Sequence, residues 1–149
     1  WLAHVASAQG VVSVEHAFED NAETIDYNNI PGCTYTQPQV GSIGLTERVA
    51  LSKGFKIKVG KYSFRSNGKA MAVGHNDGFI KLIFDEKYGE LLGAHIICSE
   101  ATELIGQLSM AKALESTWED LAFGVFAHPT FSEAIMEAAL DAYDIGIHQ

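Results

Sequence analysis

An α+β fold with helices packed on an antiparallel sheet is what this sequence predicts, and three observations predict it. Two apolar, β-rich runs, Phe79 to Phe84 and Leu91 to Cys98, are joined by the polar stretch Asp85-Glu86-Lys87-Tyr88-Gly89-Glu90, a connection of hairpin length. The most helix-like segments, Glu100 to Leu114 and Phe131 to about Tyr143, follow the strands instead of alternating with them, which disfavours a parallel βαβ arrangement. The chain has 149 residues, 47% hydrophobic and 19% charged, enough for one domain with a core.

Taken in order, Leu2 to Phe18 reads as a helix with a weak point at Gly10. Asp20 to Gly32 is polar and ends in Pro31-Gly32, the composition of a linker or long loop. Thr34-Tyr35-Thr36 and Val40 to Leu45 suit short strands on either side of Pro38. Thr46 begins a two-turn helix that Gly54 stops. Phe55, Ile57 and Val59 alternate with lysines as in a half-buried strand, but past Gly60 the apolar parity moves to Tyr62 and Phe64. A bulge near Gly60 is the expected cause. In the helix from Glu100, Leu104, Leu108 and Ala111 share a face, while Asp120 to Phe126 gives a weaker signal. The last helix is apolar around most of its circumference, its charges Glu133, Glu137, Asp141 and Asp144 lying in one arc. That breadth predicts contact with the sheet on one side and another chain on the other, with Phe131, Ile135, Met136 and Tyr143 left wet in a lone copy. The same arc offers a bland reading of Glu133, as the first member of a solvated acidic face.

Ten basic against nineteen acidic residues give a formal charge of −9, which argues against a nucleic-acid partner. No apolar run approaches the roughly 20 residues of a membrane span, and no signal-peptide pattern opens the chain. The start at Trp1, already helix-like by Leu2, gives the look of a piece cut from something longer. Cys33 and Cys98 stand too far apart for a local redox pair or a metal-ligand spacing and read as buried small hydrophobes in a reducing compartment, cytoplasmic or an equivalent organelle matrix. The histidines show no metal-binding pairing, so no metal is expected. His95, inside an apolar run, reads as a satisfied core residue. No glycine-rich nucleotide fingerprint and no serine-nucleophile elbow occurs.

The stretch of chemical interest is AHPTFSEA, from Ala127 to Ala134. Thr130-Phe131-Ser132-Glu133 fits the capping box, in which a threonine hydroxyl caps the N3 amide and the N3 carboxylate reaches back. The same residues can be read as a histidine, His128, beside its carboxylate, Glu133. On this fragment alone the helix-start reading stands first, because cap signatures are far commoner than catalytic ones.

Four segments together shift that balance. AHPTFSEAIMEAAL resembles the C-terminal signature of the pyridine nucleotide–disulfide oxidoreductases, in their dihydrolipoamide dehydrogenase branch. PGCTYTQPQVGSIGLTE resembles the opening of that family's interface domain, and DGFIKLIFDEKYGELLGAHIICSEATELI its central hairpin and following helix. WLAHVASAQG resembles the end of its flavin domain. Phe126 stands where many lipoamide-type members carry a further histidine. The resemblance implies three divisions: residues 1–20 as the end of the FAD domain, 21–33 as a linker and 34–149 as the interface, or dimerisation, domain. It implies that His128 is the acid/base serving the thiol pair of the partner subunit, that Glu133 orients it, and that the His128–Pro129 peptide is cis. Ala3, His128 and Pro129 match positions that meet the flavin.

The parent enzyme so implied is NAD-dependent, carries FAD, works as a homodimer and meets the lipoyl domain and acyltransferase component of 2-oxo-acid dehydrogenase complexes, in the cytoplasm or mitochondrial matrix. The flavin fingerprint, the redox Cys-x-x-x-x-Cys and the nicotinamide domain would lie upstream of Trp1, so this piece alone is expected to hold no cofactor and to be inactive. A docking or dimerisation module for the acyltransferase core, and a piece of a glutathione-type reductase, are the alternative readings.

Overall fold

The computed structural model describes residues 2–19 and 23–148; the remainder of the expected linker start, at Asp20 to Ala22, lies outside them. Helix α1 (Ala3–Phe18) runs through Gly10 without interruption. None of its residues is buried; His4 Nε2 lies 3.1 Å from the Pro31 carbonyl, and the Gln9 amide donates to the Tyr27 hydroxyl. After one 3₁₀ turn at Tyr27–Asn29, strand β1 (Gly32–Thr34) starts two residues ahead of the expected Thr34-Tyr35-Thr36 run, with β2 (Gln39–Gly44) after the cis Gln37–Pro38 bond. Helix α2 (Glu47–Ser52) is capped by the Thr46 hydroxyl, which accepts from Val49 N, and is followed by Gly54 at φ +86°. Then come β3 (Ile57–Ser63), α3 (Gly68–Val73), β4 (Phe79–Asp85), β5 (Leu91–Cys98), α4 (Ala101–Ala113), α5 (Trp118–Ala122) and α6 (Glu133–Asp141).

The five strands form one sheet in the order β1-β2-β5-β4-β3, every pair antiparallel. The expected hairpin is its centre, β4 against β5. The expected α+β class with an antiparallel sheet is therefore the fold observed.

The main core lies between one sheet face and helices α4 and α6, where Ile80, Leu82, Phe84, Ala94 and Ile96 meet Leu104, Ile105, Leu108, Ile135 and Ala138. The opposite face carries a smaller cluster of Ala50, Ile83 and Leu92 with Leu45, Ile57 and Val59, covered by α2. This second cluster corrects the expectation of a bulge near Gly60. Pairing of β3 with β4 runs in unbroken register from Ile57↔Asp85 to Ser63↔Phe79. The apolar parity changes because both faces of β3 are covered: Ile57 and Val59 point to α2, whereas Tyr62 points into the main core. The register shift occurs one pairing away, where Phe84 opposes Leu91 after Ile83 opposed Gly93. The extra residue at Leu92 sends Leu91 to one core and Leu92 to the other.

Helix α6 also departs from expectation. Phe131 and Ile135, expected to be wet, are 8% and 1% exposed, and Tyr143 stacks on Trp118 with ring centroids 3.9 Å apart. The chain covers this helix itself, with the sheet on one side and α5 on another. Close approach makes that possible: a Cβ placed on Gly60 would lie 1.8 Å from the Ala138 carbonyl oxygen. A glycine facing Ala138 and Ala142 lets helix and strand backbones nearly touch, so most of the broad apolar arc is covered within the chain, with Met136 left half-buried at the cavity described below.

Candidate active site

The His128 turn is held from three directions. Gln107 of α4 donates to Ser132 Oγ at 2.9 Å, and Phe131 packs its ring against Phe64 at 5.7 Å between centroids. Asn67, almost wholly buried, spans the third side: its amide nitrogen donates to the Thr130 carbonyl at 3.0 Å, and its oxygen caps α3 by accepting from Ala70 N at 2.9 Å. Sequence reading did not single out Asn67, because an Asn before Gly-Lys-Ala signals a helix cap and nothing more.

Glu133 is the centre of the turn. One carboxylate oxygen lies 2.8 Å from His128 Nδ1, and the other accepts from Thr130 N at 2.7 Å. Only half of the expected capping box is formed. The Thr130 hydroxyl donates backwards to the Ala127 carbonyl at 2.7 Å, so it does not cap α6, which begins at Glu133 itself. The N-cap position of α6 is Ser132, two residues past Thr130, and the His128–Pro129 peptide before it is cis, as the resemblance implied. The alternatives offered by the sequence are thus not exclusive: the carboxylate reaches back to the Thr130 amide and holds the imidazole at once.

The His128 side chain is 77% exposed and that of Glu133 21%. With Nδ1 facing Glu133, Nε2 is the nitrogen free to meet another molecule. Burial by itself would raise the Glu133 carboxyl, but the Thr130 N–H and the His128 ring outweigh it and hold the group below the usual carboxylate range. An anion on Nδ1 fixes the neutral tautomer with its proton there, leaves Nε2 as the base, and stabilises the imidazolium after protonation.

A cavity of about 290 Å³ opens beside this pair. Its walls come from β3 and the segment after it (Tyr62, Ser66, Asn67), from α3 (Met71) and from α6 (Glu133, Met136, Glu137), with His148 near the chain end. The Tyr62 hydroxyl is pushed up to about 12, by burial first and then by the carboxylates of Glu137 and Glu133, so it stays a neutral donor at physiological pH. Glu137 contradicts the solvated acidic face: it is 3% exposed. The C-terminal segment folds back over it, a contact no local pattern in the sequence announces.

Of the other residues singled out, Pro129 sits in the His128 turn, and Ala3 opens α1 and is not part of the cavity wall. His95 is half-buried with Nε2 3.1 Å from the Leu45 carbonyl. Cys33 and Cys98 are both free thiols. Among the described residues no group of His, Cys, Asp or Glu is placed to hold a metal ion, and no helix is long and apolar enough to cross a membrane. Among the described residues the strands form one antiparallel sheet with no strand-to-helix phosphate cradle of the βαβ kind, so they do not by themselves make up a flavin or nicotinamide dinucleotide site. Ala3, His128 and Pro129 are exposed.

Residues 30–139 match the family described as pyridine nucleotide-disulphide oxidoreductase, dimerisation domain. The dihydrolipoyl dehydrogenase of Rhizobium etli is 52% identical over 143 residues, 95% of this chain and 30% of that protein. That of Zymomonas mobilis is 47% identical over 148 residues, covering 99% of this chain and 32% of the relative. The chain therefore spans about a third of the length of these relatives. Among solved structures, LpdA from Mycobacterium tuberculosis superposes with a TM-score of 0.86 at 25% identity, over 93% of this chain and 30% of that one. RclA from Escherichia coli, a HOCl-induced flavoprotein disulfide reductase, shares the fold at the same TM-score of 0.86 and 22% identity, over 93% of this chain and 32% of its own. Sequence match, sheet order and the covering helices agree, and the chain belongs to the pyridine nucleotide-disulphide oxidoreductase dimerisation-domain family.

Proposed function

We propose that this chain is the dimerisation part of an NAD-dependent dihydrolipoyl dehydrogenase and supplies the His128–Glu133 pair to thiol chemistry completed by a second subunit. The observation that carries the reading is the ring-to-carboxylate contact of 2.8 Å, which leaves Nε2 outward on a chain that belongs to a dimerisation family. Relatives named dihydrolipoyl dehydrogenase, covering 95% or more of the chain, supply the substrate class.

The chemistry follows from the arrangement. A dithiol substrate becomes a nucleophile only as thiolate. His128 Nε2 takes the thiol proton, the electron pair stays on sulfur, and that sulfur attacks a disulfide sulfur contributed from outside this chain, releasing the other sulfur as thiolate. Glu133 stabilises the imidazolium through Nδ1–H. The proton can later return from Nε2. A flavin and a nicotinamide bound elsewhere in the parent would carry the electrons onward. In this reading residues 1–20 end the FAD domain, 21–33 link and 34–149 form the interface domain. Ala3, His128 and Pro129 face the flavin in the assembled dimer. The lipoyl domain and acyltransferase core are the macromolecular partners, in the cytoplasm or mitochondrial matrix, and the isolated chain is inactive.

The test is His128→Gln in the full-length parent. Dihydrolipoamide oxidation should fall by about 10²–10⁴-fold, while electron transfer from NADH to an artificial acceptor, which needs no thiol proton transfer, stays near wild type. Equal loss of both activities would show that His128 serves folding or flavin binding instead.

A further inference from the structure

The least expected feature of the molecule is the buried carboxylate of Glu137, one helical turn beyond Glu133 on the same face of α6. A buried carboxylate is costly unless its oxygens are bonded. Among the described residues its hydrogen-bond partners are Ile147 and His148. Oε2 accepts from the backbone N–H groups of Ile147 at 3.3 Å and His148 at 3.2 Å, and Oε1 lies 2.6 Å from His148 Nδ1. The segment after α6 is therefore not a loose end. It crosses back over the helix and closes on a single anion.

The position of that clasp matters more than its existence. His128, Glu133, Glu137 and His148 line the same cavity, facing Tyr62 from β3 and Asn67 and Met71 from the α3 side. Two carboxylates on successive turns share the wall, each holding an imidazole by Nδ1: Glu133 with His128 and Glu137 with His148. The His148 ring also acts on Glu133 through its charge. The geometry points to His148 and Glu137 as positioning residues for His128: the C-terminal segment, clasped on Glu137, forms one wall of the cavity and offsets the second negative charge beside the His128–Glu133 pair. This rests on the reading of His128 as the base, yet it concerns only contacts within the chain. Its test is therefore separable from that reading.

Loss of the His148 ring would leave Glu137 with only the two backbone N–H groups of the tail, and would remove a positive partner from the cavity wall that Glu137 shares with His128. An added negative charge favours the protonated ring. The experiment is a histidine NMR titration of this chain, with amide hydrogen exchange of residues 145–148, in wild type, His148→Ala, His148→Asn and Glu137→Gln. Asparagine places its Nδ2 donor where the imidazole places Nδ1, keeping the bond without the charge.

In His148→Ala the tail amides should exchange at least about tenfold faster, and the His128 midpoint should rise, because a positive charge is removed from the shared cavity wall while the Glu137 carboxylate stays. His148→Asn should restore the slow exchange but not the midpoint. Glu137→Gln should lower the midpoint relative to His148→Ala. Because His148 lies beyond the last helix, loss of the fold is no obstacle to either His148 variant. Tail amides that exchange freely in wild type would overturn the clasp. A His128 midpoint that is the same in all four proteins, with the tail ordered, would overturn the positioning role while leaving the base itself intact. A failed His128→Gln assay with normal titration shifts would overturn only the base.

Discussion

His128 Nδ1 and Glu133 Oε1 stand 2.8 Å apart while the second oxygen of the same carboxylate accepts from Thr130 N at 2.7 Å. One side chain thus sets the ring tautomer and ties the turn to the first residue of α6. Glu133→Gln separates those tasks. The amide oxygen can still accept from one N–H, so unfolding free energy should change by less than about 1 kcal/mol. The stabilising charge on the imidazolium is lost, and dihydrolipoamide turnover in the full-length parent should drop about tenfold or more. Turnover within about twofold of wild type would remove Glu133 from catalysis.

The same carboxylate makes stability depend on pH in a defined direction. Its folded-state value lies below the usual range, the Thr130 amide and His128 outweighing burial. A depressed carboxylate contributes stability that is fully present above the unfolded value, near 4.3 for Glu, and is lost as pH falls through the folded value. The difference in urea midpoint between wild type and Glu133→Gln should be constant from about pH 5 upward through the range where His128 keeps one protonation state, and should shrink below about pH 4. A difference that grows on acidification would contradict the assigned direction.

Helix α6 and strand β3 meet without side chains between them at Gly60. A Cβ there would lie 1.8 Å from Ala138 O and 2.7 Å from Ala142 N, both backbone atoms that cannot swing aside. Gly60→Ala should destabilise by about 1–3 kcal/mol or more and displace the helix that begins at Glu133. Gly106, inside α4, has nothing within 4 Å of its would-be Cβ. Gly106→Ala should therefore raise stability by about 0.5–1 kcal/mol. Denaturant titration of the two variants reads both signs; equal effects would mean that the close approach is absent in solution.

The two thiols should differ in reactivity. Cys98 is fully buried and pushed up to about 11, chiefly by burial, whereas Cys33 is half-buried. The thiolate is the reacting species. At pH 8 an aromatic disulfide reagent should modify Cys33 first and reach Cys98 only in denaturant. Fast modification of both in the folded protein would show that the core opens at β5.

Much of this molecule is local in origin and so legible without coordinates. The hairpin of β4 and β5, the helix capped by Thr46 and the Leu104–Leu108–Ala111 face of α4 follow from periodicity and short-range capping, which depend on neighbours in sequence. His128 and Glu133 are five positions apart, within local reach, and the resemblance to a known family pairs them; the structure shows the 2.8 Å contact between them. What only the tertiary structure decided are contacts whose partners lie far along the chain. The parity change at Gly60 looked like a bulge because a sequence does not show that α2 covers the second face of the sheet. Phe131 and Ile135 looked like interface residues because hydropathy cannot tell a second chain from the chain's own sheet and α5. Asn67 reaches Thr130 across 63 positions. Glu137 looked solvated because a carboxylate on an acidic arc ordinarily faces water. It is buried because donors from Ile147 and His148 arrive together when the chain end folds back, and only that convergence offsets the loss of hydration.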